Sequence, residues 1–248
     1  MTAATTPRAL KAKVRAIHQA LIKAYGLPTR PAYAGTVTPI DPAARIDWDP
    51  IDPIDELINT ILSQNTNDLN RDKAYRALRS SLPTWEAVRD APTKKVIEAI
   101  RPAGLANQKG PRIQKVLKRI TQERGELNID FLRDWPVDEA KAWLTSLDGV
   151  GPKTASIVLL FALGRPAFPV DTHIHRVTGR LGLIPPKTSA DKAHELLEAI
   201  VPPEWYHSFH LNVIAHGRAV CKAQRPWCEV CTLKKHCDYY QNRRGGPS

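Results

Sequence analysis

Apolar residues recur at helical spacing along nearly the whole chain, and no segment shows sustained period-two alternation closed by hairpin turns. That single feature confines the fold to a mainly α class in which helices pack into one or two bundles. Leu10, Val14, Ile17 and Leu21 mark one face of a first helix, which Gly26 and Pro28 end. Asp52 and Pro53 supply an N-cap and a first-turn proline for a helix whose apolar face is Ile54, Leu57, Ile58, Ile61 and Leu62. Further helices are predicted over Leu69–Leu82, Thr93–Ile100, Pro111–Ile120 and Asp138–Leu147, joined by short connections that carry Gly or Pro. In the third of these Ile113, Val116, Leu117 and Ile120 point inward. From Leu27 to Pro53 the chain is rich in Pro, Thr and Asp, and it reads as a long surface connection. No internal repeat is visible.

With 248 residues the chain is long enough for one large core or two small ones. Its 36 Lys and Arg against 25 Asp and Glu leave a formal charge of +11, which favours a polyanionic partner, nucleic acid ahead of an anionic membrane surface. The longest mostly apolar run without a charge or proline, Ala155 to Leu163, falls well short of the ~18 residues that span a bilayer. Arg8, Lys11, Lys13 and Arg15 interrupt the first apolar stretch, so no secretory h-region is present and a cytoplasmic protein is expected, beside the nucleoid if bacterial. Arg112, Lys115, Lys118, Arg119 and Arg124 form a basic helix face, either a nucleic-acid surface or an ordinary solvated one.

Chemistry concentrates in three places. In Leu147-Asp148-Gly149-Val150-Gly151-Pro152-Lys153-Thr154-Ala155 two glycines make a tight turn between helices. Backbone N–H groups at the start of the second helix would suit a phosphate oxygen, although any helix-helix turn favours glycine. Next, Pro169-Val170-Asp171-Thr172-His173-Ile174-His175 places Asp171 as the N-cap of a helix with Ile174, Val177 and Leu181 on one face. His173 and His175 are two apart and point to different sides, against a shared metal. The last is Cys221-x6-Cys228-x2-Cys231-x5-Cys237, which contains every cysteine of the chain. So local a cluster cannot staple the whole fold, and shared metal ligation is favoured over two local disulfides. Spacing alone leaves zinc and an iron–sulfur cluster open. Lys222 and Arg225 lie in the first loop, where ligation at both ends would present them outward.

Taken in this order, the three segments resemble the endonuclease III family of helix-hairpin-helix DNA glycosylases, over roughly Asp52 to Cys237. The resemblance implies two helical domains: a six-helix barrel with the helix-hairpin-helix over 54–165, and a discontinuous domain of 1–53 with 166–248 closed by a [4Fe-4S] cluster on Cys221, Cys228, Cys231 and Cys237. The active site would lie in the cleft between them. Lys153 matches the family's catalytic lysine and Asp171 its aspartate. The activity implied is excision of oxidised pyrimidines from double-stranded DNA, followed by strand cleavage at the abasic site, by a monomer. A first-turn lysine sits at the positive end of the helix dipole, which disfavours its ammonium and helps supply a neutral nucleophile; Asp171 would stabilise positive charge developing at the sugar.

Base extrusion needs something to fill the gap it leaves. The family's glutamine and leucine loops read here Ser63-Gln64-Asn65-Thr66-Asn67-Asp68 and Gly104-Leu105-Ala106-Asn107-Gln108-Lys109. Leu105 matches, and Asn65 or its neighbour Gln64 takes the glutamine's place. With Gly149, Val150, Gly151, Lys222 and Arg225 these are the expected DNA contacts. Ala106 replaces a tyrosine, Asp148 a proline, and Pro152 stands where arginine is frequent. An acidic Asp148 beside the phosphate turn is expected to weaken DNA affinity. The alternatives are a thymine-mismatch glycosylase and a catalytically weak DNA-binding or redox paralogue. An adenine-mismatch glycosylase would lack Lys153 and carry a glutamate near Thr60.

Overall fold

A computed structural model describes residues 6–28 and 52–244 of the protein. Among them there is no strand. No described helix is long and apolar enough to cross a membrane. The described residues fall into two compact units, one within Pro50–Arg165 and the other within Met1–Asp49 and Pro166–Ser248. Most of the connection read over 27–53 lies outside the described residues.

The unit drawn from one continuous stretch is organised about its first helix. The chain's helices are numbered from α1, Pro7–Tyr25, so this one is α2, Pro53–Ser63. Asp52 caps it, its carboxylate accepting from the Ile54 N–H at 2.8 Å. Nine of its eleven residues are buried, so it is a core helix and not an amphipathic surface one. It packs against α3 (Asp68–Ser81), α6 (Ala106–Arg124) and α8 (Pro152–Ile157). Ile54, Leu57, Ile58, Ile61 and Leu62 are each 1% exposed or less, and each contributes about 1.5–3 kcal/mol of burial. Between α3 and α6 lie α4, Trp85–Asp90, and α5, Thr93–Ala99. The buried Gln114 amide of α6 donates to the Val88 and Ala91 carbonyls at 2.9 and 2.7 Å, pinning the end of α4. The sequence pattern misses α4, a six-residue helix too short to show a period, whose N-cap is Thr84.

Two boundaries differ from expectation. α6 starts at Ala106, five residues before the proline taken as its first turn, and Pro111 sits inside it. The proline removes one backbone donor near the N-terminus, which the burial of Lys109, Gly110 and Ile113 offsets. α7 covers Val137–Thr145. Beyond α8 the apolar run continues as a π-helical turn, Val158–Ala162, with the Leu163 N–H reaching back to the Val158 carbonyl at 3.1 Å.

In the other unit α1 packs on α10 (Ala190–Ile200) and α11 (Tyr206–Ala219), while α9 (Thr172–Leu181) packs on α11, α10 and α12 (Asp238–Arg244). Val14, Ile17 and Leu21 of α1 are fully buried, as the spacing predicts. Phe168 anchors this core, with Tyr206, Phe209 and His210 set around its ring.

Candidate active site and thiol centre

In the first unit the Gly-Val-Gly segment links α7 to α8 through a turn closed by the Val150 N–H on the Leu147 carbonyl at 3.1 Å. Gly149 has φ +74°, and a Cβ there would stand 2.1 Å from Arg112 Cδ and 2.2 Å from its Nε. Its conformation therefore favours glycine, and any side chain there would have to displace Arg112. Val150 is buried and fixes the turn to the core, whereas Gly151 caps α8 with no side-chain bond. The first N–H groups of α8 thus have no capping side chain from Gly151. Lys153, the second residue of α8, is exposed and makes no hydrogen bond or ion pair among the described residues.

Much of the basic face of α6 is engaged within its own unit. Arg112 Nε lies 3.8 Å and Lys115 Nζ 3.2 Å from the two carboxylate oxygens of Asp148. Arg119 donates to the carbonyl and hydroxyl of Ser146, the latter at 2.9 Å. Arg124 covers the Phe131 ring at 4.0 Å. Lys118 is exposed and acts electrostatically on Asp90. Arg112, Lys115 and Arg119 meet the α7–α8 connection at Asp148 and Ser146, through contacts that no local pattern reveals.

Both loops expected to plug the duplex are shaped by positive φ angles. Asn65 is exposed at φ +54°, and Leu105, 47% exposed, stands at φ +50° as the N-cap of α6. Leucine in the left-handed region costs about 1–2 kcal/mol, so the surroundings hold it there. Gln64 does not project as Asn65 does: its Nε2 donates to the Gly149 carbonyl at 2.9 Å, tying the end of α2 to the hairpin turn. Lys109 completes the arrangement. It is 1% exposed, and its Nζ donates to the Leu62 carbonyl at 2.7 Å and the Ala103 carbonyl at 2.9 Å. Burial lowers its pKa to about 8. Its role in joining the two loops was not evident in the sequence, since both acceptors are backbone atoms.

In the second unit Asp171 caps α9, its carboxylate accepting from the Ile174 N–H at 2.7 Å. Ile174, Val177 and Leu181 are buried behind it. His173 Nδ1 accepts from Arg176 at 3.0 Å, and His175 Nε2 donates to the Thr188 carbonyl at 2.7 Å, so each imidazole has its own bond.

None of the four thiols is in a disulfide, and all four line one cavity, with Arg180, Trp227 and Tyr240 among its other walls. Among the described residues no three His, Cys, Asp or Glu side chains are grouped to hold a single metal ion. The four thiols are thus wall residues of one common space. Arg180 donates to Cys221 Sγ at 3.3 Å and to the Lys222 and Ala223 carbonyls at 2.7 and 2.8 Å, shaping the first ligand loop. His216 Nε2 stands 3.4 Å from Cys231 Sγ, and Tyr25 Oη 3.0 Å from His216 Nδ1. Burial brings His216 down to about 4, so the ring is neutral at pH 7. Burial first, and the neighbouring thiols after it, push Cys231 up to about 11. Lys222 is exposed, with its Nζ 4.1 Å from the centre of the Trp227 ring, and Arg225 is exposed at φ +48°.

A family profile described as "HhH-GPD superfamily base excision DNA repair protein" matches residues 58–203. Endonuclease III of Thermotoga maritima is 34% identical over 195 residues, 79% of this chain and 87% of that one. Endonuclease III of Sulfolobus acidocaldarius is also 34% identical, over 74% of this chain and 81% of its own. Among solved structures, a non-covalent endonuclease III–DNA complex superposes with a TM-score of 0.74 at 28% identity, covering 95% of this chain and 99% of that one. A trapped endonuclease III–DNA covalent intermediate gives 0.74 at 29%, covering 94% and 98%. A thermostable thymine-DNA glycosylase, at 22% identity and a TM-score of 0.71, shares the fold.

Proposed function

Since the chain belongs to the HhH-GPD superfamily of base excision DNA repair proteins, we propose that it excises damaged bases, oxidised pyrimidines foremost, as a combined DNA glycosylase and AP lyase. Lys153 is the nucleophile and Asp171 the carboxylate of that reaction. The observation that carries this assignment is Lys153 itself: an exposed amine in the first turn of α8, two residues beyond a turn held open by Gly149, with no competing ion pair among the described residues.

The chemistry follows from those groups. A neutral Lys153 amine attacks C1′ of an extruded nucleotide; the new C–N bond replaces the glycosidic bond, and the base leaves as it takes up a proton. Loss of the amine proton and opening of the sugar give a Schiff base. Removal of a C2′ proton then expels the 3′ phosphate by β-elimination. Asp171 opposes the positive charge that develops at the sugar while the base departs. Gly149, Val150 and Gly151 hold a backbone phosphate, and Leu105 with Asn65 fills the space of the extruded nucleotide. Gln64 supports them through its bond to Gly149.

The cavity lined by Cys221, Cys228, Cys231 and Cys237 suits a [4Fe-4S] cluster, because its donor set is four sulfurs around a shared space. When bound, such a cluster closes the C-terminal segment and sets Lys222 and Arg225 toward DNA phosphates.

Borohydride trapping on a duplex with one abasic site tests the proposal. Wild-type protein is expected to form a covalent adduct and Lys153→Ala none. An adduct of undiminished yield with Lys153→Ala would assign the nucleophile to another amine.

A further inference from the structure

Asp148 is the acidic residue set immediately before the hairpin glycines, and its carboxylate lies between two cations of α6. Arg112 Nε is 3.8 Å from one oxygen and Lys115 Nζ 3.2 Å from the other. The two cations are one helical turn apart, so they converge on the same point. The Cδ, Nε and Cζ of Arg112 fill the space beside Gly149 that a Cβ would otherwise take. Its Nε is buried, yet it has no hydrogen-bond partner among the described residues: the Asp148 oxygen is too far to accept. A donor of this kind, desolvated and unsatisfied, is built for an acceptor that the free protein supplies only in part. Two positive charges against one negative leave the point cationic.

From this geometry we propose that Arg112 and Lys115 form a DNA-phosphate site beside the Gly149–Gly151 turn, and that Asp148 occupies it in the free protein as an internal stand-in for the phosphate. This rests on the functional reading above. A duplex phosphate brings oxygens to the Arg112 guanidinium and the Lys115 ammonium, but it must first displace the carboxylate from both cations. Asp148 therefore lowers affinity for the DNA backbone. It does so equally for damaged and undamaged duplex, since the phosphates are the same in both. It acts not by simple repulsion, as a lone acidic side chain would, but by holding two cations that would otherwise release DNA counterions.

The test is fluorescence anisotropy with two duplexes, one undamaged and one carrying a tetrahydrofuran abasic analogue, from 50 to 300 mM KCl. Asp148→Asn keeps the shape of an exposed side chain and is expected to tighten both duplexes about three- to tenfold at low salt, with a salt slope steeper by about one. Arg112→Gln should weaken binding, and in the Arg112→Gln background Asp148→Asn should give less than half of its gain. Unchanged affinity and slope for Asp148→Asn, with the melting temperature retained, would overturn the proposal. So would a gain that survives intact without Arg112 and Lys115, which would mean simple repulsion. Wild-type protein that neither binds the abasic duplex nor traps on it would instead remove the functional reading on which the proposal rests.

Discussion

The Lys109 ammonium donates to the Leu62 carbonyl at 2.7 Å from a position 1% exposed to solvent, so a buried cation stands at the C-terminal end of the core helix α2. A helix C-terminus is the favourable end for a positive charge, and the same group holds the Ala103 carbonyl two residues before Leu105. The loops that carry Asn65 and Leu105 are thereby joined through one side chain.

Lys109→Met should cost about 1–3 kcal/mol in urea unfolding, because two buried carbonyls lose their donor. The pH dependence has a definite sign. With the folded pKa at about 8 and the unfolded one near 10.4, the unfolded chain binds more protons between these values. The lysine's contribution is therefore least favourable below pH 8 and grows as pH rises from 8 to 10. Wild type should gain on Lys109→Met across that window, while other titrating groups cancel in the comparison. A difference independent of pH would show that Lys109 is not desolvated.

Gly149→Ala should destabilise by about 1–2 kcal/mol for its left-handed backbone alone, and it should push Arg112 aside. Combining it with Arg112→Ala removes the collision and leaves the backbone term, so part of the loss should return. Thermal melts of the four proteins check this. Full recovery in the double variant would place all of the cost in the collision.

Asp171 has two separable roles. Asn caps a helix as well as Asp does, so Asp171→Asn should keep the melting temperature and slow base release, whereas Asp171→Ala should also lose about 1 kcal/mol. Single-turnover excision and melting curves on both variants test this. If Asp171→Asn melts as early as Asp171→Ala, its slow excision reports folding and not chemistry.

Leu105→Gly should be more stable than Leu105→Ala by roughly 1 kcal/mol, since φ +50° is free of strain for glycine. Both should impair excision from a well-paired duplex more than cleavage at a preformed abasic site, because only the former requires unstacking. Equal losses on the two substrates would assign Leu105 to general binding.

Anaerobically purified protein is expected to be brown and to carry iron and sulfide, and Cys228→Ser should lose the iron together with the C-terminal fold. One zinc and no iron would decide against the cluster. Removing Lys222 and Arg225 should flatten the salt dependence of DNA binding by up to about two in slope. An unaltered slope would turn their loop away from DNA.

What the sequence determined by itself was whatever depends on near neighbours. The apolar spacing of α1, α2 and α9, the caps Asp52 and Asp171, the Gly-Val-Gly turn and the cysteine spacing are local relations, and helix geometry converts them directly into buried faces and exposed ends. Family membership was legible for the same reason, since its motifs are short and contiguous. Tertiary structure alone decided how the charged side chains are used. Lys109 is sequestered because carbonyls 47 and six residues away meet it, and Arg112 lies against a glycine 37 positions on. The basic face of α6 could not be assigned from its own pattern, because its partners, Asp148 and Ser146, come from a turn that only folding brings beside it.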